Sequence, residues 1–190
     1  MTPRRTIANE LTKEMIVEVA SQQFQTKGYQ HVSMRSLAKE LQCSHGALYY
    51  HFNNKAELFF EVVSRYFEKL NDLIKKVQAK SVKNEEKLIE LLLCYLEFGL
   101  HYQVHYEFMF MIKDPAIDAL SKRAANQSYD LFAKALGSFS NNDASIGDVY
   151  STFVSLHGFV AHYIHRVNNF SEVEEAAKKH VQFLTKAILS

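Results

Sequence analysis

The chain has 190 residues, 47% of them hydrophobic, and a formal net charge of +1 at pH 7. This length fits one large domain or a small domain joined to a larger one, with enough apolar material for a sizeable core. Two prolines and six glycines argue against a linker-rich chain, and no apolar run is long enough to span a bilayer. Because Cys43 and Cys94 lack metal-ligand spacing and no secretory leader opens the chain, we expect a reduced, cytoplasmic protein.

The small net charge hides an asymmetry along the chain. Residues 1–55 carry seven Lys or Arg against four Asp or Glu, whereas the remainder carries fifteen against seventeen. Residues 1–55, called the head below, are therefore basic, and the remainder is mildly acidic. This asymmetry indicates an anionic partner for the head.

Helical spacing of apolar residues dominates the first third of the chain. Thr12 is positioned to cap a first helix, which Lys27-Gly28 would close. Ser33 caps a second, short helix, and Ser44 caps a third that ends near Phe52. The sequence therefore predicts three helices before residue 53.

The rest of the chain also reads as helix, because no useful run alternates with a period of two. We expect an all-α protein of about nine helices. The later helices are marked by a capping box at Asn54 and Glu57, by Asn84 followed by Glu85-Glu86, by Asp114-Pro115, by an apolar run over 146–168 and by a capping box at Ser171 and Glu174.

The second and third predicted helices are each about two turns long and are separated only by Gln42-Cys43-Ser44. Such a pair forms a helix-turn-helix, in which the second helix can enter the DNA major groove. Leu48 and Phe52 are its core contacts. Gly46 and Ala47 are small enough to approach base edges, and the outward Tyr and His side chains suit phosphate oxygens.

The DNA-binding segment of the TetR family of bacterial transcriptional regulators is similar to the stretch KGYQHVSMRSLAKELQCSHGALYYHFNNKAEL. The resemblance runs from Ile16 to about Val63 and includes Ser44-x-Gly46-x-Leu48-Tyr49-x-His51-Phe52. It implies a helix-turn-helix DNA-binding domain over 1–55 and a ligand-binding and dimerisation domain over 56–190. The DNA-contacting residues that it implies are Ser33, Arg35, Ser44, His45, Gly46, Ala47, Tyr49, Tyr50, His51 and Lys55.

Two positions depart from the family pattern. Gln42 stands where the family usually has glycine, at a turn position that favours a left-handed backbone, and a non-glycine residue there costs ~1 kcal/mol. His45 stands where Lys or Arg is common, which would weaken DNA contacts near neutral pH.

The second part of the chain has a dense aromatic and methionine stretch, YLEFGLHYQVHYEFMFMIKDP, over residues 95–115. It is typical either of a core with a half-buried interface or of a ligand pocket. Together with TFVSLHGFVAH it resembles a TetR subgroup marked by a late Trp-His-Gly, although Leu156 replaces the Trp here. The pocket residues that this resemblance implies are Tyr66, Tyr95, Phe98, Tyr102, Met109, Phe153 and His157.

Enzymatic and metal chemistry lack a site in the sequence. There is no Gly-rich phosphate loop, no HExxH and no Glu-x-x-His pair. His101 with His105, and His162 with His165, could each supply two ligands on one helix face, but a structural zinc needs four. We therefore expect no metal, no cofactor and no catalytic residues.

The last two predicted helices are apolar beyond a single stripe, and Gly158 and Ala161 would let another helix come close. By the resemblance, two subunits form a four-helix interface here, and a two-fold dimer would read two half-sites of a palindromic double-stranded operator. The dimerisation residues that we predict are Val160, Ile164, Val167, Val181, Leu184 and Ile188.

These features predict a homodimeric, ligand-responsive DNA-binding transcriptional regulator with no membrane association. We expect a repressor that a small apolar or aromatic effector releases from its operator. Two alternatives stay open: an effector-independent architectural or division-control DNA-binding protein on the same fold, and a small-molecule-binding helical protein that has lost DNA binding.

Overall fold

The computed structural model describes residues 11–112, 115–140 and 144–189. These residues form nine α-helices and two short 3-10 turns and contain no strand, so the predicted all-α class is confirmed. The helices are α1 (Lys13–Lys27), α2 (Met34–Glu40), α3 (His45–His51), α4 (Lys55–Gln78), α5 (Asn84–His101), α6 (Gln103–Phe110), α7 (Pro115–Phe139), α8 (Ile146–Tyr163) and α9 (Glu174–Leu189). Arg4 and Arg5 of the basic head, and the predicted helix-start residue Asp114, lie outside the described residues.

Contacts divide the chain into two compact units. The first comprises the described residues up to Ser64 together with residues 115–121, and the second comprises residues 65–112 with those from 122 onward. Helix α4 therefore begins in the first unit and ends in the second. The division predicted between residues 55 and 56 concerns function rather than packing, and it stays a prediction.

The first unit is built around the apolar face of α1. The helix begins at the predicted cap, where the Thr12 hydroxyl accepts a hydrogen bond from the Met15 amide at 3.2 Å. Further along, the rings of Phe24, Tyr29 and Phe59 pack mutually with centroids 4.6–5.8 Å apart. Burying these rings stabilises the unit by about 1.5–3 kcal/mol for each large side chain.

The next two helices also begin at the predicted serines. The Ser33 hydroxyl accepts from the Ser36 amide, and the Ser36 hydroxyl accepts in return from the Ser33 amide, both at 3.0 Å. The Ser44 hydroxyl accepts from the Ala47 amide at 3.1 Å. Each cap satisfies amides that the first helical turn leaves without intrahelical partners.

Two of the predicted capping boxes differ in detail. At α4, Asn54 Oδ1 accepts from the Glu57 amide at 2.8 Å as expected, but the Glu57 carboxylate accepts from the amide of Asn53 rather than that of Asn54. Before α9, the capping oxygen belongs to Asn169, because the Ser171 amide and hydroxyl both donate to its side chain. Ser171 lies inside a 3-10 turn over Phe170–Val173.

The second unit packs α5 against α8 and α9. Gly99 makes the approach of α5 to α8 possible, because a Cβ at this position would lie 2.6 Å from Val160 Cγ1. Real Cβ atoms do not come that close, so a side chain at residue 99 would force the two helices apart.

The predicted helix over 146–168 is too long, since α8 ends at Tyr163. His165 has a φ of 60°, a left-handed conformation that does not continue a helix. Gln103 holds the turn that follows. Its Oε1 accepts from the His165 amide at 2.8 Å, and its Nε2 donates to the Val167 carbonyl at 2.9 Å.

Candidate functional site

The turn between α2 and α3 has the left-handed backbone that the family resemblance implies. Gln42 has a φ of 51°. The Gln42 amide donates to the Lys39 carbonyl at 3.2 Å, and the Cys43 amide donates to the Ala38 carbonyl at 3.0 Å. These two bonds form a Schellman motif, whose left-handed position glycine normally occupies. The short turn brings α3 back against α2 and defines the helix-turn-helix.

Helix α3 has one buried face and one open face. Leu48 and Phe52 are buried in the first unit, as predicted. Tyr50 is 86% exposed and Tyr49 is 43% exposed, and the His45 ring packs edge-on against Tyr49 at 4.9 Å. Exposed tyrosines and histidines without internal hydrogen bonds can donate to an external partner.

Two shallow grooves flank α3. The first, of about 410 Å³, lies between α2 and the start of α3 and is lined by Arg35, Ala38, Lys39, Cys43 and His45. The second, of about 550 Å³, lies beside the start of α1 and is lined by Leu11, Thr12, Lys13, Ala47, Tyr50 and His51. Both grooves carry cations at their edges, and Lys or Arg at such edges suits phosphate oxygens.

The remaining predicted DNA contacts have mixed surroundings. Ser33 and Ser44 are exposed but serve as helix caps. Lys55 is half-buried: its Nζ donates to the Tyr29 carbonyl at 2.9 Å and lies 4.1 Å from the Tyr29 ring centroid. It therefore ties the turn before α2 to the start of α4, and two of its three N–H groups remain for another acceptor.

Two cations beside α3, Lys13 and Lys39, are not among the predicted site residues. Lys39 lies in the first groove with Arg35, and the spacing i, i+4 on α2 could have shown that the two share a helix face. Lys13 lies in the second groove, where its Nζ also pairs with the Glu61 carboxylate at 3.0 Å. No simple sequence pattern links Lys13 to α3.

The predicted effector pocket separates into two groups of side chains. Only Phe98 and Tyr102 line a cavity in the second unit, which has a volume of about 240 Å³. Tyr66 packs edge-on against Tyr102 at 5.3 Å and stacks on His105 at 3.7 Å. The cavity is completed by Leu73, Cys94, Glu97 and His101.

The other predicted pocket residues pack against one another instead of lining this cavity. The Tyr95 and Tyr106 hydroxyls are 3.0 Å apart, and the Tyr106 hydroxyl lies 2.8 Å from His157 Nδ1. The Phe153 ring contacts Tyr95 at 5.9 Å, and Met109 is buried. Tyr95, Met109, Phe153 and His157 do not line this cavity with Phe98, and an effector-binding role for them stays a prediction.

Burial shifts the pKa values of the tyrosines and histidines in the second unit. It raises the pKa of Tyr95 and of Tyr106, and it lowers the pKa of His157. Burial, and then the positive charge of Lys69, lower the pKa of His105 to about 4. All four groups are therefore neutral at pH 7, and the hydroxyl–hydroxyl–imidazole chain carries no net charge.

The prediction that each of the two histidine pairs shares a helix face is wrong. Helix α5 ends at His101 and Tyr102 has a non-helical backbone, so His101 is exposed whereas His105 is buried on α6. His165 lies beyond the end of α8, away from the helical position that pairs it with His162. Across residues 11–112, 115–140 and 144–189, no group of three or more His, Cys, Asp or Glu could hold a metal ion.

The predicted dimerisation residues belong to the interior of the second unit. Val160, Val181 and Leu184 are buried within the chain, as are Ile164 and Ile188. Val167 is half-buried and lies past the end of α8. The predicted apolar stripes are present, but the one predicted to contact a partner subunit faces the core of this chain. The large apolar side chains exposed on α8 and α9 are Ile146, Tyr150, Val154, Phe183 and Leu189.

No helix within the described ranges is both long enough and apolar enough to cross a bilayer.

A sequence model of bacterial regulatory proteins of the tetR family matches residues 16–62, which run from the buried face of α1 through α3 into α4. The chain carries a TetR-family DNA-binding domain. This match covers the Schellman turn, the exposed face of α3 and Lys55, so the resemblance inferred from the sequence is confirmed.

Curated relatives with the same head are transcriptional regulators, not enzymes. The chain is 29% identical over 102 residues to the Staphylococcus aureus (strain Newman) biofilm operon icaADBC HTH-type negative transcriptional regulator IcaR, covering 54% of this chain and 48% of that protein. It is 33% identical over 94 residues to the HTH-type transcriptional regulator QacR of S. aureus (strain Mu50), covering 50% and 48%. The chain thus matches about half the length of these TetR-type relatives.

Solved structures extend the TetR-like likeness to the whole fold. The fatty acid degradation regulator FadR from Bacillus halodurans aligns with a TM-score of 0.71 at 14% identity, covering 94% of this chain and 98% of that one. A TetR/AcrR-family transcriptional regulator from Thermobifida fusca aligns with a TM-score of 0.67 at 16% identity, covering 91% and 96%. At these identities the likeness concerns the fold alone.

Proposed function

We propose that the chain is a homodimeric transcriptional repressor that binds a two-fold symmetric DNA operator and releases it when a small molecule binds the second unit. The observation that carries the proposal is the open face of α3, with Tyr49 and Tyr50 exposed and cation-lined grooves on both sides. The sign of regulation is supported by the likeness to IcaR, which is named a negative transcriptional regulator.

The open face of α3 supports two kinds of contact with DNA, some to bases and others to phosphates. Gly46 and Ala47 bring the backbone near base edges, where the Ala47 methyl can pack against thymine. Tyr50 and His51 contact phosphate oxygens, and Arg35 with Lys39 neutralises phosphates along the first groove. We expect the phosphate contacts to set affinity and the few base contacts to set the sequence preference.

A second copy of the chain is the partner that we propose for α8 and α9. Exposed residues on α8 form a stripe at helical spacing that begins at Gly147 and ends at Ala161, and Tyr150, Val154 and Gly158 lie between. On α9 the corresponding stripe contains the exposed residues Ala176, Phe183 and Ala187 and the half-buried His180. The Ser155 hydroxyl lies 3.2 Å from His180 Nε2, and this contact joins the two helices side by side.

A dimer through this face is also what operator reading requires. One seven-residue recognition helix contacts too few base pairs to be specific, whereas two copies related by a two-fold axis read half-sites about 34–36 Å apart. The small residues let helices from the two copies approach closely, and Phe183 and Val154 supply the apolar area.

Effector control requires a connection between the ligand and the head. Helix α4 supplies one, because it starts at Lys55 in the first unit and contributes Leu73 to the cavity in the second. A ligand that displaces α4 would change the spacing of the two recognition helices. A coupling of about 1–3 kcal/mol would lower operator affinity 5- to 150-fold.

A second candidate, an effector-independent DNA-binding protein on the same fold, is favoured by one observation. Tyr95, Phe153 and His157 already contact other side chains of the protein: the Tyr95 and Phe153 rings pack together at 5.9 Å, and His157 Nδ1 lies 2.8 Å from the Tyr106 hydroxyl. Under this function, no small molecule would alter operator affinity, and substitutions at the cavity would leave DNA binding unchanged.

The deciding experiment is a fluorescence-polarisation titration against duplexes that tile the DNA upstream of the protein's own gene, with a random duplex as control at two salt concentrations. A specific regulator should prefer one two-fold symmetric duplex by ~10³ or more. Weak binding of every duplex that collapses with salt would contradict the proposal, because it would report only generic phosphate contact.

Two pairs of variants locate the interfaces in that assay. Tyr50→Ala should lower operator affinity about tenfold, the worth of one lost hydrogen bond to a phosphate, without a change in folding. Its control is Gln25→Ala, which removes an exposed polar side chain of α1 that lines neither groove. Phe183→Glu should shift sedimentation equilibrium toward the monomer and weaken operator binding, whereas Gln182→Glu, which adds the same charge next to it, should not.

A further inference from the structure

The cavity described above in the second unit lies on a different face of α5 from the aromatic core that contains Tyr95 and Tyr106. Its α5 members recur at helical spacing along one side of the helix, whereas Tyr95 and Gly99 point toward Tyr106 and Val160. Helix α4 contributes Leu73 to its wall. The cavity is therefore separate from the hydroxyl–imidazole chain.

The walls of the cavity are apolar and its rim is acidic. Phe98 is buried, and Leu73 and Tyr102 are half-buried, so two aromatic side chains and a branched aliphatic one contribute the apolar lining. Glu97 is exposed at the rim and makes no ion pair or hydrogen bond with the residues that the structure describes. The neighbouring carboxylate on α5, Glu90, is paired with Lys80.

Charge is unevenly distributed around the cavity. At the Cys94 end, Glu90 and Glu97 add to the effect of burial in raising the pKa of the thiol, and Lys80 opposes them. Since Lys80 is paired with Glu90, the Glu97 carboxylate remains as the uncompensated charge. The cation Lys69 lies at the other end, 5.3 Å from the Tyr102 ring centroid.

We propose that this cavity binds a small organic cation, with its ammonium group at Glu97 and its aromatic or branched apolar part between Leu73 and Phe98. A carboxylate and aromatic ring faces both attract an ammonium group, and the apolar floor takes up the rest of the ligand. The volume of about 240 Å³ is below that of sites for drug-sized ligands, so the ligand is compact. The inference rests on the proposed ligand-responsive function, because it names the class of effector.

Cys94 provides a direct readout of occupancy, because its thiol lines the cavity. In a Cys43→Ser background it is the only thiol, and its alkylation by iodoacetamide can be followed by mass spectrometry of the intact protein. The probes are benzyltrimethylammonium, the neutral N-benzylacetamide and the anionic 3-phenylpropionate, which are similar in size. We expect saturating benzyltrimethylammonium to slow alkylation and the other two probes to leave its rate unchanged.

Substitution of the rim carboxylate tests the role of charge. Glu97→Gln should weaken protection by benzyltrimethylammonium about fivefold, as for one exposed ion pair. Glu97→Lys should abolish it and let 3-phenylpropionate protect instead. The control is Glu86→Gln, which removes an exposed carboxylate from the first turn of the same helix, and we expect protection to stay unchanged.

Equal protection by all three probes, or none by the cation, would overturn the proposal. Duplex polarisation in the same samples separates it from the proposed function. If the cation fails to protect Cys94 while specific operator binding persists, the cavity assignment fails and the regulator stands. If the cation protects Cys94 and leaves operator affinity unchanged, the site is supported and ligand control of DNA binding is contradicted.

Discussion

Tyrosine and histidine occur together in both units of this protein, but with opposite surroundings. On α3, Tyr50 is 86% exposed, and the neighbouring His51 touches its ring edge-on at 5.2 Å. In the second unit, Tyr106 is buried and both sides of its hydroxyl have partners, Tyr95 and His157. Amphipathic side chains whose hydrogen bonds are satisfied internally build a core, whereas those left open indicate an external partner.

The largest expected effect on stability comes from substitution of the buried tyrosine, Tyr106. Tyr106→Ala should lower the free energy of unfolding by about 4 kcal/mol, because it opens a cavity and leaves two buried polar groups without a shared partner. Urea denaturation gives the value. Tyr50→Ala, in the same assay, should change it by less than about 0.5 kcal/mol. Similar losses for the two variants would mean that Tyr50 also supports the fold.

Two glycines of the second unit, Gly99 and Gly158, sharpen the distinction between a core and an open face. Gly99→Ala should cost about 1–3 kcal/mol, since its Cβ would meet Val160. Gly158→Ala meets no atom of the chain within 4 Å and should stabilise the monomer by about 1 kcal/mol through helix propensity. Thermal unfolding of dilute protein measures the stability of both variants. If Gly99→Ala is destabilised and Gly158→Ala is not, the result supports the close approach of α5 to α8.

The buried imidazole of His105 should make the second unit sensitive to acid. Its folded pKa of about 4 lies below the unfolded value of 6.5, so below pH 6.5 the unfolded state binds more protons and stability falls as pH falls. We expect a loss of about 1 kcal/mol per pH unit between pH 6.5 and 4. Urea denaturation across this range measures the slope, and His105→Gln should reduce it. An unchanged slope would exclude His105 as its source.

The smallest expected effect lies in the turn of the helix-turn-helix. Gln42→Gly should raise the free energy of unfolding by about 1 kcal/mol, because glycine adopts the φ of 51° without a Cβ penalty. Gln42→Ala keeps that penalty and should not stabilise the protein. If both variants behave alike, the Gln42 side chain rather than the backbone determines the stability of the turn.

Local signals predicted the head well. Thr12, Ser33 and Ser44 are helix caps in the structure, and Gln42 adopts the left-handed backbone that the family resemblance implies for its turn position. Each of these features depends on residues within about one helical turn, which makes the sequence pattern sufficient. Lys13 was not predicted as a site residue, because its position beside α3 depends on how α1 packs.

The second unit was predicted less well because its contacts connect distant parts of the chain. Periodicity identified α8 and α9 as apolar on more than one side, but it could not show that the stripe with Val160 and Val181 faces inward. Likewise, composition marked residues 95–115 as rich in aromatics, and a filled core and a ligand pocket share that composition. Only the packing of α5 shows that Tyr95 faces the core and Phe98 the cavity.

The Gln103 side chain has a consequence for how the second unit opens. It donates to the Leu100 and Val167 carbonyls and accepts from the His165 amide, so one amide group joins segments more than sixty residues apart in the chain. The end of α8 therefore cannot fray alone, as helix ends commonly do. Its amides should exchange hydrogen together with those at the α5–α6 junction, as one cooperative unit of local unfolding.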